Sequence, residues 1–296
     1  MTEESQWYPP TVTAIGDPLE FKSSTFYSPV PQALKDTTEP IVLGVDEAGR
    51  GPVLGPMVYG VAYSLKMAQD GIKEAGFADS KTLSEPMRRQ LFEGVDSLNI
   101  GYATTTLTAK DISSGMLSKN NYNLNQQAHD TTIDLIRGVL ARGVKVTEIY
   151  VDTVGPPQSY QDKLQKLFPE VQVTVAKKAD AIYPIVSAAS IVAKVTRDFN
   201  LTYYVNTLGL GEIGSGYPGD PNTKSFIRQD IDPVFGWPSG LLRFSWGTAK
   251  ELLKEHVLVN YETDPVRDPG YGSLDNMAKK PAFIDSSYYG NDNVAL

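Results

Sequence analysis

The run IVLGVDEAGRGPVLGPMVYG at 41–60 carries an apolar strand straight into two adjacent acids, Asp46 and Glu47, and then into a glycine-rich turn. Neighbouring side chains on a regular strand point to opposite faces, so both acids reach one site only if the strand ends or bends there; Gly49 and Gly51 permit a bend. Two more acids occupy comparable places. Asp152 follows the apolar run at 149–151, and Asp180 lies just before a helix opened near Pro184. Open α/β sheets bind ligands at strand ends, where Asp46, Glu47, Asp152 and Asp180 can converge. Four carboxylates make an all-oxygen site of the kind that takes Mg²⁺ or Mn²⁺. The chain has no cysteine and two histidines, His129 and His256, both expected on helix surfaces. Each acid also has a plainer reading. Asp46 and Glu47 by themselves fit a solvated acidic turn equally well, and an isolated Asp at a strand end is more often a turn former or a helix cap.

Gly49, Gly51 and Gly55 also form a loose dinucleotide-binding fingerprint, which would make the chain an oxidoreductase. Its details fit poorly. Asp46 and Glu47 would sit beside the pyrophosphate, Pro52 and Pro56 would disturb the helix that must follow, and no acid stands at the ribose-binding position about 20 residues on. A serine hydrolase is excluded more simply, because no G-x-S-x-G elbow is present.

The elements that must position these acids read as an α/β layer architecture. Strands are expected at 41–45, 58–64, 100–107, 148–151 and 171–175, with helices at 85–95, 123–141, 158–167 and 183–205. Asp220 and Pro221 form a cap-plus-first-turn pair that opens a further helix, and a last helix is expected at 248–258. Residues 1–39, rich in Pro, Ser and Thr, read as a partly ordered arm, and 262–296 read as a tail. Between them lie an expected core at 40–210 and a smaller helical region at 211–261.

A net charge of −8 is at first sight wrong for a protein that handles nucleic acid. Its distribution removes the objection: 1–39 carry six acids and two bases, 262–296 six acids and three bases, and 40–261 hold 23 acids against 22 bases. Metal-binding carboxylates account for several of the acids in the middle. Neither an apolar run of membrane-spanning length nor a secretory leader pattern is present, so no membrane partner is expected.

Whole blocks of the chain resemble the catalytic A subunits of eukaryotic type 2 ribonucleases H, of the ribonuclease HII family. They are GVDEAGRGPVLGPMVYG at 44–60, DSKTL at 79–83, YNLN at 122–125, VDTVGPP at 151–157, KADAIYPIVSAASIVAKVTRD at 178–198, GSGYPGDP at 214–221 and FSWGTAKELL at 244–253. The N-terminal extension is similar to that of fungal members. The resemblance implies a ribonuclease H-like mixed five-stranded sheet with flanking helices. It further implies two ions, Mg²⁺ or Mn²⁺, on Asp46, Glu47, Asp152 and Asp180, and endonucleolytic attack on RNA/DNA hybrids and on single ribonucleotides in duplex DNA. By the same likeness the turn Gly49, Arg50, Gly51 and the ring of Tyr217 read the ribose. Lys81, Lys178 and Arg197 contact phosphates, with Asn121 or Asn123 as weaker candidates. The expected partners are two non-catalytic subunits, B and C, and the expected setting is the nucleus, in DNA replication and repair, with a cytoplasmic pool as the alternative. A catalytically inactive nucleic-acid scaffold is the other reading, and the presence of all four acids weighs against it.

Overall fold

The computed structural model describes residues 6–14, 16–77, 83–153, 155–232, 235–237 and 240–254. In chain order the N-terminal half comprises α1 (Pro10–Thr13), β1 (Ser24–Tyr27), β2 (Ile41–Ala48), β3 (Met57–Leu65), α2 (Gln69–Glu74), α3 (Glu85–Glu93), β4 (Gly101–Leu107) and α4 (Ala109–Leu117). Then come α5 (Leu124–Ala141), β5 (Val146–Asp152), α6 (Pro157–Leu167), β6 (Gln172–Ala176), α7 (Pro184–Thr207), α8 (Pro221–Gln229) and α9 (Gly247–Leu253). Met1–Val257 make up one compact unit. The expected tail lies outside the described residues.

The sheet order is β1-β4-β3-β2-β5-β6. Antiparallel pairs join β1, β4, β3 and β2, while β5 and β6 extend the sheet in parallel from β2. This is the expected mixed α/β sheet with flanking helices, with one strand more than expected. The extra strand comes from the N-terminal arm, where Ser24–Tyr27 pairs with Thr106–Ala103 of β4. Four residues without apolar alternation leave no strand signal, and the pairing is made entirely at long range.

Covered on both faces, β2 reads as the continuous apolar run that such burial requires. Leu43 and Val45 join the core built with Leu135, Ile136 and Val139 of α5 and Leu164 of α6. Val42 joins the opposite core, with Ile185, Val186 and Ala189 of α7. The helix α7 lies close enough that a Cβ at Gly44 would stand 2.5 Å from the carbonyl oxygen of Ile185, so only glycine fits there. A smaller third core joins Val53, Leu54 and Leu201 to Ile213, Ile227, Trp237, Leu242 and Leu252, seating the C-terminal helical region beside the glycine turn.

The arm is bound more tightly than its composition suggests. Val12 is fully buried, the hydroxyls of Thr11 and Thr196 are 2.8 Å apart, and the ring of Trp7 meets Phe199 edge-on with centroids 5.0 Å apart.

Candidate active site

The strand β2 does not break at its acids. It runs through both to Ala48, with Asp46 opposite Gly60 and Glu47 opposite Tyr59 on β3. What ends instead is its pairing with β5, whose last matched pair is Val45 and Val151. From Asp46 onward one edge of β2 is open, and Asp152, the last residue of β5, stands beside that opening. The two adjacent acids keep the alternation of a regular strand. Asp46 takes a hydrogen bond from Ser190 on α7, whereas Glu47 lines a pocket of about 100 Å³ on the α5 side with Arg50, Asn125, His129, Asp152, Ser159 and Tyr160.

Electrostatically these acids form one group. Burial pushes Asp46 up to about 8, with further repulsion from Glu47 and Asp152. Burial likewise lifts Glu47 to about 7; Arg50 pulls it back down and Asp152 adds repulsion. Asp152 Oδ1 accepts the N–H of Ala179 at 2.8 Å, which brings the backbone beside Asp180 against it. Asp180 is buried, and its carbonyl oxygen accepts from the Ser187 hydroxyl.

Among the described residues, no group of three or more His, Asp or Glu side chains stands at separations able to hold a metal ion. The expected four-carboxylate convergence is therefore looser than a finished cage. Asp46 and Glu47 leave opposite faces of an unbroken strand, and like charges in a poorly solvated place repel. The donor set nevertheless suits a hard divalent cation. It is all oxygen, and burial and mutual repulsion disfavour the charged forms of Asp46 and Glu47, which a cation would relieve.

The glycine turn follows at once, with Gly49 at φ 79°, a left-handed conformation that favours glycine. Its carbonyls are all taken. The guanidinium of Arg243, wholly buried, donates to the carbonyl oxygens of Gly49 at 2.6 Å, Arg50 at 3.0 Å and Gly55 at 3.0 Å. Trp246 Nε1 donates to the Gly51 carbonyl at 3.2 Å. In a planar trans peptide the C=O and the following N–H point in opposite directions, so tying down the carbonyls of Gly49 and Arg50 turns the N–H groups of Arg50 and Gly51 the other way. Among the described residues no backbone acceptor takes those two N–H groups. Tyr217 lies over the same turn: a Cβ at Gly51 would stand 3.4 Å from its ring, which is half exposed. Asp220 anchors the Tyr217 loop, accepting from Ser215 N at 2.6 Å and Ser215 Oγ at 2.7 Å while capping α8.

The other expected contacts divide. Arg197 sits beneath the turn and the loop, paired with Asp198 at 3.0 Å and 6.0 Å from the Tyr217 ring centre. Lys178 is exposed in a left-handed conformation directly before Ala179. Lys81 and His256 lie outside the described residues. Asn123 spends its side chain as the cap of α5, accepting from Asn125 N and Gln126 N, which weakens it as a phosphate contact; Asn121 is exposed in the preceding turn. The side chain of Arg50 turns inward, with Nη2 2.5 Å from Asn125 Oδ1, leaving the backbone as the outward face of the turn. His129 is only partly exposed: it stacks on Tyr160 at 3.8 Å and lines the pocket beside Glu47. Its apolar neighbours on α5 are buried, and α6 covers what would otherwise be its solvent face.

Three contributors escaped the sequence reading: Arg243, Trp246 and Asn125. Only Arg243 left a signal, as a lone cation inside the apolar run Leu241, Leu242, Phe244. The disfavoured dinucleotide alternative also fails on topology, since the glycine turn leads into β3 and not into a helix.

Comparison with known proteins converges on one group. The family model for ribonuclease HII matches residues 43–249. The A subunit of ribonuclease H2 from Schizosaccharomyces pombe is 45% identical over 281 residues, covering 92% of this chain and 85% of its own length. The solved ribonuclease H2 from Pyrococcus horikoshii OT3 is similar with a TM-score of 0.63 at 34% identity, covering 73% of this chain and 98% of that one. Bst-RNase HIII in complex with Mn²⁺ shares the fold, with a TM-score of 0.59 at 19% identity over 77% of this chain and 74% of its own.

Proposed function

The chain belongs to the ribonuclease HII family and is a ribonuclease H, and from that premise we propose that it hydrolyses the RNA strand of RNA/DNA hybrids and incises duplex DNA on the 5′ side of a single ribonucleotide. Its relatives bear the name of one lettered subunit among several, which implies a multi-subunit complex working on nucleic acid. The assembly proposed is a heterotrimer with non-catalytic B and C subunits, working in the nucleus in ribonucleotide excision repair and primer removal.

The observation that carries this reading is that the acids and the donor-presenting turn are consecutive at one open strand end. Asp46, Glu47, Asp152 and Asp180 would hold two divalent ions, Mg²⁺ or Mn²⁺, which supply an activated water and stabilisation of the leaving oxygen. Use of divalent metal accords with the Mn²⁺ complex of the fold relative. The reaction forms a bond from water oxygen to phosphorus and breaks the bond from phosphorus to the 3′ oxygen, leaving a 3′ hydroxyl and a 5′ phosphate. The chain's own groups select and hold the strand. The outward N–H groups of Arg50 and Gly51 suit the 2′ oxygen, the atom that separates RNA from DNA. Tyr217 lies where a sugar resting on that turn would meet its ring. The side chain of Arg50, held by Asn125, stays inside as a counter-charge to Glu47. Lys81, Lys178 and Arg197 are the proposed phosphate contacts.

Asp46→Asn tests the assignment. It keeps the size of the side chain and removes one carboxylate, so incision should fall by at least about a hundredfold, as when a transition-state electrostatic group is lost, with the unfolding temperature unchanged or raised. Incision at the normal rate would refute the role of this site.

A further inference from the structure

Trp246 lies outside the carboxylate site, yet its indole N–H reaches the carbonyl of Gly51, the last peptide of the reading turn. Its ring also lies 4.8 Å from the guanidinium of Arg243, which holds the carbonyls of Gly49 and Arg50. The same ring packs against both the main core and the small C-terminal core, so it bridges the body that carries the acids and the region that carries Tyr217.

The geometry matters because glycine flanks the peptide between Arg50 and Gly51. A peptide flip there needs coupled changes in the ψ of Arg50 and the φ of Gly51, and glycine opposes such changes weakly. A flip would turn the Gly51 N–H inward and present a carbonyl oxygen to the sugar. The bond from Trp246 restrains the far side of Gly51, and its ring restrains the Arg243 group that holds the near side.

We infer that Trp246 is a positioning residue for ribose selection: it locks the Gly49–Gly51 turn with its N–H donors outward, so that a 2′ oxygen is favoured over a 2′ hydrogen. The inference rests on the proposed reading of that turn. Because Trp246 meets only the turn's carbonyl face, its contribution falls on discrimination between sugars and not on overall affinity for duplex.

Trp246→Phe keeps an aromatic ring beside Arg243 and removes the donor. The full-length chain in its multi-subunit complex is assayed for KM and kcat on a duplex with one ribonucleotide, and for inhibition by the all-DNA duplex of the same sequence. One neutral hydrogen bond corresponds to about fivefold to tenfold. Preference for the ribonucleotide duplex, taken as its kcat/KM against the inhibition constant of the all-DNA duplex, should fall by that factor, with the inhibition constant itself changed by less than about twofold. An unchanged preference, or equal weakening on both duplexes, overturns the inference. If the Phe variant melts below the assay temperature, 3-benzothienylalanine at 246, which keeps the bicyclic shape without the N–H, carries the same two outcomes. A wild-type complex that does not distinguish the duplexes defeats the reading of the turn and this inference with it; a discriminating wild type beside an equally discriminating variant defeats only the role of Trp246.

Discussion

At the scale of single residues, burial and like charge govern the site. Asp46 and Glu47 are lifted to about 8 and about 7, far above ordinary carboxylates. A folded-state pKa raised above its unfolded value gives stability that is complete below the unfolded pKa and is lost as pH rises through the folded one. In chelator, the unfolding temperature should therefore drop between about pH 5 and pH 8.5, on the order of 5 °C. Millimolar Mg²⁺ should remove most of that drop, since a cation compensates the ionised acids; a flat chelator profile would contradict the electrostatic account. Arg243 invites a second measurement. Burial lowers its pKa to about 9, yet its three carbonyl partners keep the guanidinium satisfied. Arg243→Met leaves those carbonyls unpaired, and at about 1 kcal/mol or more for each the loss should total roughly 3 kcal/mol in denaturant unfolding, with incision falling too. The acids themselves were legible in the sequence because two adjacent carboxylates after an apolar run are unusual. The roles of Arg243 and Trp246 were not, because their contacts with the turn span nearly two hundred positions; the lone cation in an apolar run marked Arg243 as unusual without showing what it holds.

Among the elements, the strands that bury both faces were readable as apolar runs, and the cap formed by Asp220 and Pro221 stands where expected, with the Asp220 side chain accepting from Asn222 N at 2.9 Å. Less readable was how β2 serves two acids at once. The strand needs no bend, since the loss of its β5 partner after Val45 opens an edge that both faces can reach. That feature belongs to the pairing of strands and not to either strand's sequence. The N-terminal arm was legible only as Pro-rich chain, and its fixing is tertiary: β1 completes the sheet while Trp7, Tyr8 and Thr11 bind α3 and α7. Trp7→Ala should cost about 2 kcal/mol of stability, below the figure for a fully buried Trp because this one is partly exposed. Incision at 25 °C by the folded variant should be unchanged, as Trp7 packs on Phe92 and on Phe199, nine positions along α7 from Ser190, the α7 residue that bonds Asp46; loss of activity without loss of stability would show instead that the arm acts on the site.

For the molecule as a whole, an acidic chain suits a nucleic-acid enzyme because most of its excess charge lies in the terminal segments, and because the proposed catalytic centre is itself built from acids. The C-terminal helical region is fastened to the body through Val53 and Leu54, the residues just after the glycine turn. Carboxylates, glycine turn and Tyr217 are thereby assembled from distant parts of the chain around one strand end. The most direct test of this arrangement is incision, with Mg²⁺ present, of a DNA duplex holding one ribonucleotide, beside the same duplex made wholly of DNA. The account expects a single cut on the 5′ side of the ribonucleotide, with a 3′ hydroxyl and a 5′ phosphate, abolished by chelator and by Asp46→Asn, and no cutting of the all-DNA duplex. Equal cutting of both duplexes, or cutting that survives loss of Asp46, would contradict it.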